Sequence, residues 1–177
     1  MILLLLACSG AAPRGPADSV DSGADWVAPE GGVVELVTRD EVTLVGDYYP
    51  SETRKGPAAV LLHMNPSGGY DRSNWPEAFI AALGQGGLAV LNVDRRGAGD
   101  SGGAAVQAYT GDKGRYDVEA CARRLADDGY GPLVLVAASN GTTSALDYSA
   151  WAAGQGLSVP VASVYMTGGS YTENQTA

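Results

Sequence analysis

The sequence is short of several residue types, and each shortage removes a class of explanation. It has two cysteines in 177 residues, Cys8 in an apolar N-terminal run and Cys121 inside a helix-like stretch. Contexts so different do not make a disulfide framework. Basic residues number 11 against 20 acidic ones, the net charge is −9, and no Lys/Arg cluster exceeds a pair. That balance excludes the basic face a nucleic acid requires. The opening apolar run has about six residues, too few to span a bilayer. There is one histidine, His63, so the sequence offers one imidazole as a general base. No internal repeat is present. What remains is ordinary: 45% hydrophobic and 18% charged residues, in a chain long enough for one domain with a core.

From Val33 the chain reads as alternating strands and helices. "VVELVT" and "VTLVGDYYP" flank the charged turn Arg39-Asp40-Glu41 and predict a hairpin. "AAVLLHM", "LAVLNVD" and "LVLVAAS" are apolar runs of strand length, the pattern of strands buried on both faces of a parallel sheet. "VPVASVYMTGG" reads as a fourth. Between them lie three helices. Ser73-Asn74 is placed to cap "WPEAFIAALGQ", with Pro76 in its first turn and Gly86-Gly87 ending it. "DVEACARRLADDG" begins at Asp117 and carries Cys121 on an apolar stripe with Val118 and Leu125, a setting for a structural thiol. "NGTTSALDYSAWAAG" is the third. The order predicts an α/β fold with a mainly parallel sheet and helices on both faces.

The stretch "RRGAGDSGG" (95–103) carries two misleading signals. "GDSGG" matches the nucleophile motif of trypsin-like proteases, and His63 and Asp94 precede Ser101 in the matching order. A triad of that kind draws its residues from distant parts of two β-barrels, whereas Asp94 and Ser101 lie seven positions apart in an α/β chain. "GAGDSG" fits the dinucleotide fingerprint. There, however, the first glycine directly follows the strand and a helix opens at once. Arg95 and Arg96 intervene, and a loop-like interval follows Gly103.

"NVDRRGAGDSGG" resembles instead the D-x-R-G-x-G-x-S loop after strand four of the α/β hydrolases. The resemblance implies that Asp94 and Arg96 hold the loop and that Ser101 has no catalytic role. It also implies a nucleophile elbow at the end of the next strand, and there Ala137-Ala138-Ser139-Asn140-Gly141 fits the small-x-nucleophile-x-small pattern, with alanine for the usual first glycine. Ser139 is then the nucleophile. A serine at that place could alternatively cap the following helix. The resemblance assigns the oxyanion hole to the N–H groups of Asn140 and Asn65, with Met64 as the fallback donor. It makes His63 a loop-bonding residue rather than the base. "HMNPSGGYDRSNWP" is similar to the dienelactone-hydrolase-like and serine-aminopeptidase-like branches.

In that superfamily an acid and a histidine after the later strands complete the triad. The resemblance covers residues 33–177, about two thirds of such a domain, and implies that those strands, the acid and the histidine lie beyond Ala177. Glu173 stands near one known position for the acid. Strand six would then be an exposed apolar edge. Leu5-Leu6-Ala7-Cys8 resembles a bacterial lipobox, which makes residues 1–8 a lipoprotein signal-like segment with Cys8 as the lipidation site. Residues 9–31, rich in Gly, Pro, Ala, Ser and Asp, read as a flexible tether, and 32–177 as a partial α/β-hydrolase domain. The expectation is a lipid-anchored or secreted envelope protein, a serine esterase or peptidase acting through an acyl-serine on a small-molecule ester or peptide-like substrate, and impaired as given. No metal or cofactor is implied, and contact with the membrane is through the anchor only. The alternative is a non-catalytic ligand-binding lipoprotein on the same fold.

Overall fold

The computed structural model describes residues 26–169 and 172–175. Its strands are β1 Gly32–Val37, β2 Thr43–Tyr49, β3 Ala58–Leu62, β4 Ala89–Val93, β5 Leu133–Ala137 and β6 Ala162–Tyr165. They form one sheet in the order β1-β2-β4-β3-β5-β6. β1, β2 and β4 pair antiparallel in sequence along that order, while β4-β3, β3-β5 and β5-β6 pair parallel. The three main helices among the described residues are α1 Glu77–Gln85, α2 Gly114–Asp127 and α3 Asn140–Ala152.

The apolar runs become the centre of this sheet because both faces are covered. Every residue of β3 and β4 is buried. On one face Leu61, Val90 and Val136 meet Trp75 and Ile80 of the α1 region. On the other, Val60, Leu62, Leu91 and Leu135 meet Val118, Cys121 and Leu125 of α2 and Ala145 and Tyr148 of α3. Cys121 is a core thiol, and burial pushes its pKa up.

The chain leaves β3 for β4 on one side and returns to β5 on the other. The crevice at the C-terminal ends of β3 and β5 is therefore the topological switch point, where open α/β sheets place their sites.

Two expectations change in detail. Ser73 and Asn74 do not cap α1. They lie in a preceding one-turn helix capped by Asp71, whose carboxylate accepts the Ser73 N–H while the Asn74 side chain accepts the Asp71 N–H. Pro76 takes the N-cap place. The expected tether does not run to Gly31 as a solvated chain. Trp26 packs edge-on against Tyr130 at 6.0 Å and donates Nε1–H to the Asp128 carbonyl, because an indole gains more from that apolar seat than from water. β6 is the exposed apolar edge that the sequence led one to expect, with Val161, Val164 and Met166 exposed.

The end of β4 holds an unusual concentration of buried charge. Asp94, Arg95 and Arg96 are all fully buried. Asp94 accepts the backbone N–H groups of Arg72 and Asp100 and pairs with the Arg72 guanidinium. Gly99 is required beside it: φ is +50°, and a Cβ there would lie 2.0 Å from an Asp94 oxygen. Arg96 pairs with Asp117 at 2.8 Å and forks onto Asp40 of the hairpin turn at 2.8 and 3.0 Å.

Arg95 has no ion-pair partner among the described residues. It donates to the carbonyls of His63, Met64 and Ala108 and to Ser144 Oγ. Burial lowers its pKa to about 10, so it stays charged at neutral pH. Ser101 is structural, as the resemblance implies. Its hydroxyl donates to the Asp94 carbonyl and accepts the Val45 N–H.

His63 is bound at both ring nitrogens. Nε2 accepts the Arg95 backbone N–H at 2.9 Å, which leaves the proton on Nδ1, 3.0 Å from the Met64 carbonyl that accepts it. Burial, and then the Arg95 charge, push the imidazole pKa down to about 3 from 6.5. The folded state therefore favours neutral His63. The stability this contributes is complete above pH 6.5 and is lost as pH falls toward 3, by up to about 1.4 kcal/mol per pH unit. Asp40, held at about 2 mainly by its bond to Arg96, adds a loss only below its ordinary 3.8. Urea midpoints should thus fall from about pH 6.5 to about pH 4.5 in the wild type, and His63→Gln should flatten that slope. A wild-type midpoint constant over the window contradicts the assignment.

Candidate active site

β5 ends at Ala137 and α3 begins at Asn140, so Ala138 and Ser139 make the turn between them. Its backbone has φ 49° and ψ −124°. Glu41 and Lys55 also have positive φ, but Ser139 combines it with a strongly negative ψ outside the left-handed helical well. A side chain held there stores about 1–3 kcal/mol of strain, and such strain persists only where the surroundings enforce it.

The enforcement is visible. The Ser139 N–H donates to Thr167 Oγ1 at 2.8 Å, and Thr142 Oγ1 donates to the Thr167 carbonyl at 2.8 Å. The Gly141 and Thr142 N–H groups close the turn on the Ala138 and Ser139 carbonyls, both at 2.9 Å. Gly141 lets α3 approach β3, since a Cβ there would lie 2.3 Å from the Leu62 carbonyl oxygen and 2.8 Å from that of His63. Ser139 makes no side-chain cap bond to α3. The capping alternative therefore has no bond to rest on, and the hydroxyl is not spent on the helix.

The expected oxyanion donors lie on segments that leave adjacent strands. Parallel register pairs Leu62 with Ala137, so the segment after β3 and the elbow after β5 leave the sheet side by side. Asn140 is the first residue of α3, and the N–H groups of a first helical turn have no carbonyl partner within the helix. In the loop after β3, the carbonyl of Met64 faces His63 Nδ1 and Arg95. The peptide bonds are trans, so the Asn65 N–H points the opposite way, out of the buried cluster. The carbonyl of His63 faces Arg95 and the Gly141 backbone, which turns the Met64 N–H away from the elbow. Of the two loop candidates, Asn65 is the better directed. Its side chain is occupied in a local turn, accepting the Ser67 N–H at 3.0 Å.

Cys8 lies outside the described residues, as do residues 1–25 generally. Glu173 falls in a one-turn helix, Glu173–Gln175, whose Asn174 and Gln175 side chains donate to the buried Asp147 of α3. The "GAGDSG" stretch turns back on itself, with the Gly97 N–H on the Gly102 carbonyl, and no helix opens on it. Among the described residues no cluster of three or more His, Cys, Asp or Glu side chains could hold a metal ion, and no helix is long and apolar enough to cross a membrane.

Sequence reasoning missed Thr167, Gly169 and Arg95. Gly169 packs on the elbow so closely that a Cβ there would lie 2.6 Å from both the Ser139 carbonyl and Thr143 Oγ1. Thr167 and Gly169 belong to no local motif. Arg95 did leave a signal, as a second arginine where the loop needs one.

No protein-family model matches the chain, and no curated protein does. Solved structures do. The bottromycin epimerase BotH, solved with bottromycin A2, is 29% identical over 67% of this chain and 44% of its own, with a TM-score of 0.54. The esterase Pf2001 of Pyrococcus furiosus is 26% identical over 76% of this chain and 47% of its own, with a TM-score of 0.51. The α/β hydrolase GrgF from Penicillium sp. sh18 is 17% identical over 79% of this chain and 46% of its own, with a TM-score of 0.64. The chain spans about half the length of these structures. Its fold is that of the α/β hydrolases.

Strain at Ser139 has a measurable consequence. Glycine adopts this backbone without penalty, so Ser139→Gly should be more stable than Ser139→Ala by about 1 kcal/mol. That is the reverse of the usual order for glycine and alanine. Urea denaturation of the two variants decides it, and a more stable alanine variant would remove the strain from the account.

Proposed function

We propose that this chain is a serine hydrolase of esterase or peptidase type, in which Ser139 forms an acyl-serine intermediate. The observation that carries the reading is the elbow itself: a non-glycine residue held at φ 49° between strand and helix, with its hydroxyl not used as a cap. In the reaction Oγ of Ser139 attacks a carbonyl carbon and its proton passes to a base that returns it to the departing alkoxide or amine. The carbonyl oxygen becomes an oxyanion held by the Asn140 and Asn65 N–H groups, and collapse expels the leaving group to give the ester on Ser139. The helix N-terminus at Asn140 favours the developing negative charge.

The chain's only histidine is committed to its own loop, so it does not serve as that base. On this reading the 177 residues acylate slowly and turn over poorly. The substrate class is a small ester or peptide-like molecule, consistent with the esterases among the structural neighbours. Cys8 is proposed as a lipid attachment site that anchors the domain to a bacterial envelope by its tether. The same commitment of His63 favours one second reading, a ligand-binding lipoprotein with the elbow kept and the chemistry lost.

A fluorophosphonate probe separates the two. The folded wild type and folded Ser101→Ala should be labelled, and Ser139→Ala should not. No labelling of folded wild type supports the binding protein. Labelling that survives Ser139→Ala and disappears in Ser101→Ala overturns the assignment.

A further inference from the structure

Arg95 is a buried cation whose hydrogen bonds go to the wrong kind of partner for a structural ion pair. Among the described residues no carboxylate forms an ion pair with it. Two of its bonds instead take consecutive carbonyls of the segment after β3, His63 at 3.3 Å and Met64 at 3.2 Å. Its second terminal nitrogen reaches Ala108 O at 2.5 Å and Ser144 Oγ at 2.8 Å, and so fixes the guanidinium plane against α3. Its backbone N–H also holds His63 Nε2. One residue thus grips the start of the loop by three bonds and anchors that grip to the helix that carries the elbow.

A planar guanidinium bonding two successive carbonyls fixes the rotation of both peptide planes. The Met64–Asn65 plane is the one that aims the Asn65 N–H. Oxyanion donors act only when they are preorganised at about 3 Å from where the charge develops.

We infer that Arg95 is a positioning residue for the oxyanion hole, holding the Met64–Asn65 peptide so that the Asn65 N–H faces the acyl oxygen on Ser139. The inference rests on the serine-hydrolase reading and adds a role that the resemblance does not assign, since the loop motif specifies the arginine at 96 and leaves 95 open. Arg95 touches no reacting atom.

Arg95→Met tests it with little reason to unfold. Methionine nearly fills the volume without the buried charge. The Met64 carbonyl keeps His63 Nδ1, and the Ala108 carbonyl keeps the Ser144 hydroxyl. The His63 carbonyl loses its partner, and Ser144 Oγ loses one donor while keeping its bond to Ala108.

With a fluorophosphonate, the maximal labelling rate at Ser139 should fall roughly tenfold to a hundredfold while the half-saturating probe concentration stays within about twofold. Arg95→Lys, which keeps one donor, should recover part of the rate. Backbone 15N relaxation should show Asn65 rigid in the wild type and mobile in Arg95→Met, with order parameters dropping below about 0.6.

A merely structural arginine would lower the melting temperature and leave the rate of the folded fraction unchanged, and that outcome overturns the inference. Unchanged order parameters at Asn65 overturn it as well. A folded wild type that does not label at Ser139 overturns the nucleophile reading instead, and with it the role given to Arg95.

Discussion

Three consecutive charged side chains, Asp94, Arg95 and Arg96, are buried where β4 ends, and most of the site's geometry is referred to them. Each reaches a different part of the chain. Asp94 holds the Arg72 segment that leads into α1. Arg95 holds the start of the loop after β3 and α3. Arg96 joins the β1–β2 turn, through Asp40, to the first turn of α2, through Asp117. The loop between β3 and α1 is thereby pinned at both ends by neighbouring residues of one strand end. Buried charges are costly unless fully bonded, and removing one member of a buried pair typically costs about 3–5 kcal/mol. That cost applies to Asp94 and Arg96, which are paired, whereas Arg95 is held by uncharged partners.

This constraint and the strain at Ser139 support each other. An elbow residue in a disfavoured backbone state needs walls that do not yield. Those walls are the β3 carbonyls against Gly141 on one side and Thr167 with Gly169 on the other. The β3 carbonyls stay where they are because Arg95 and His63 hold the segment that follows. Neutral His63 is part of the same knot. The residue that looks most like a base in the sequence is one of the least free to act as one.

Much of this was legible from sequence, for reasons that can be named. Apolar runs such as Ala58–Leu62 and Ala89–Val93 announce strands buried on both faces, and the glycine loop after Asp94 marks the register from which the Ser139 turn follows. The loop motif was enough to set aside Ser101, and its two hydrogen bonds agree. What sequence did not reveal depends on distance. Ser73-Asn74 do not cap α1 because Asp71 draws them into a one-turn helix of their own, which leaves Pro76 at the N-cap place. Trp26 docks on Tyr130, 104 positions away. Thr167 and Gly169 complete the elbow only once β6 lies beside β5. Arg95 has no role in any local pattern, because the carbonyls it bonds come from the segment after β3 and from Ala108.

The central claim is that the strained turn presents Ser139 as a nucleophile to a hole built from Asn140 and Asn65. A crystal structure of the protein after reaction with a phosphonate ester tests it most directly. The account predicts density continuous from Ser139 Oγ to phosphorus, with the phosphoryl oxygen about 3 Å from the Asn140 and Asn65 N–H groups. An adduct on any other serine, or a phosphoryl oxygen turned away from both donors, would contradict it.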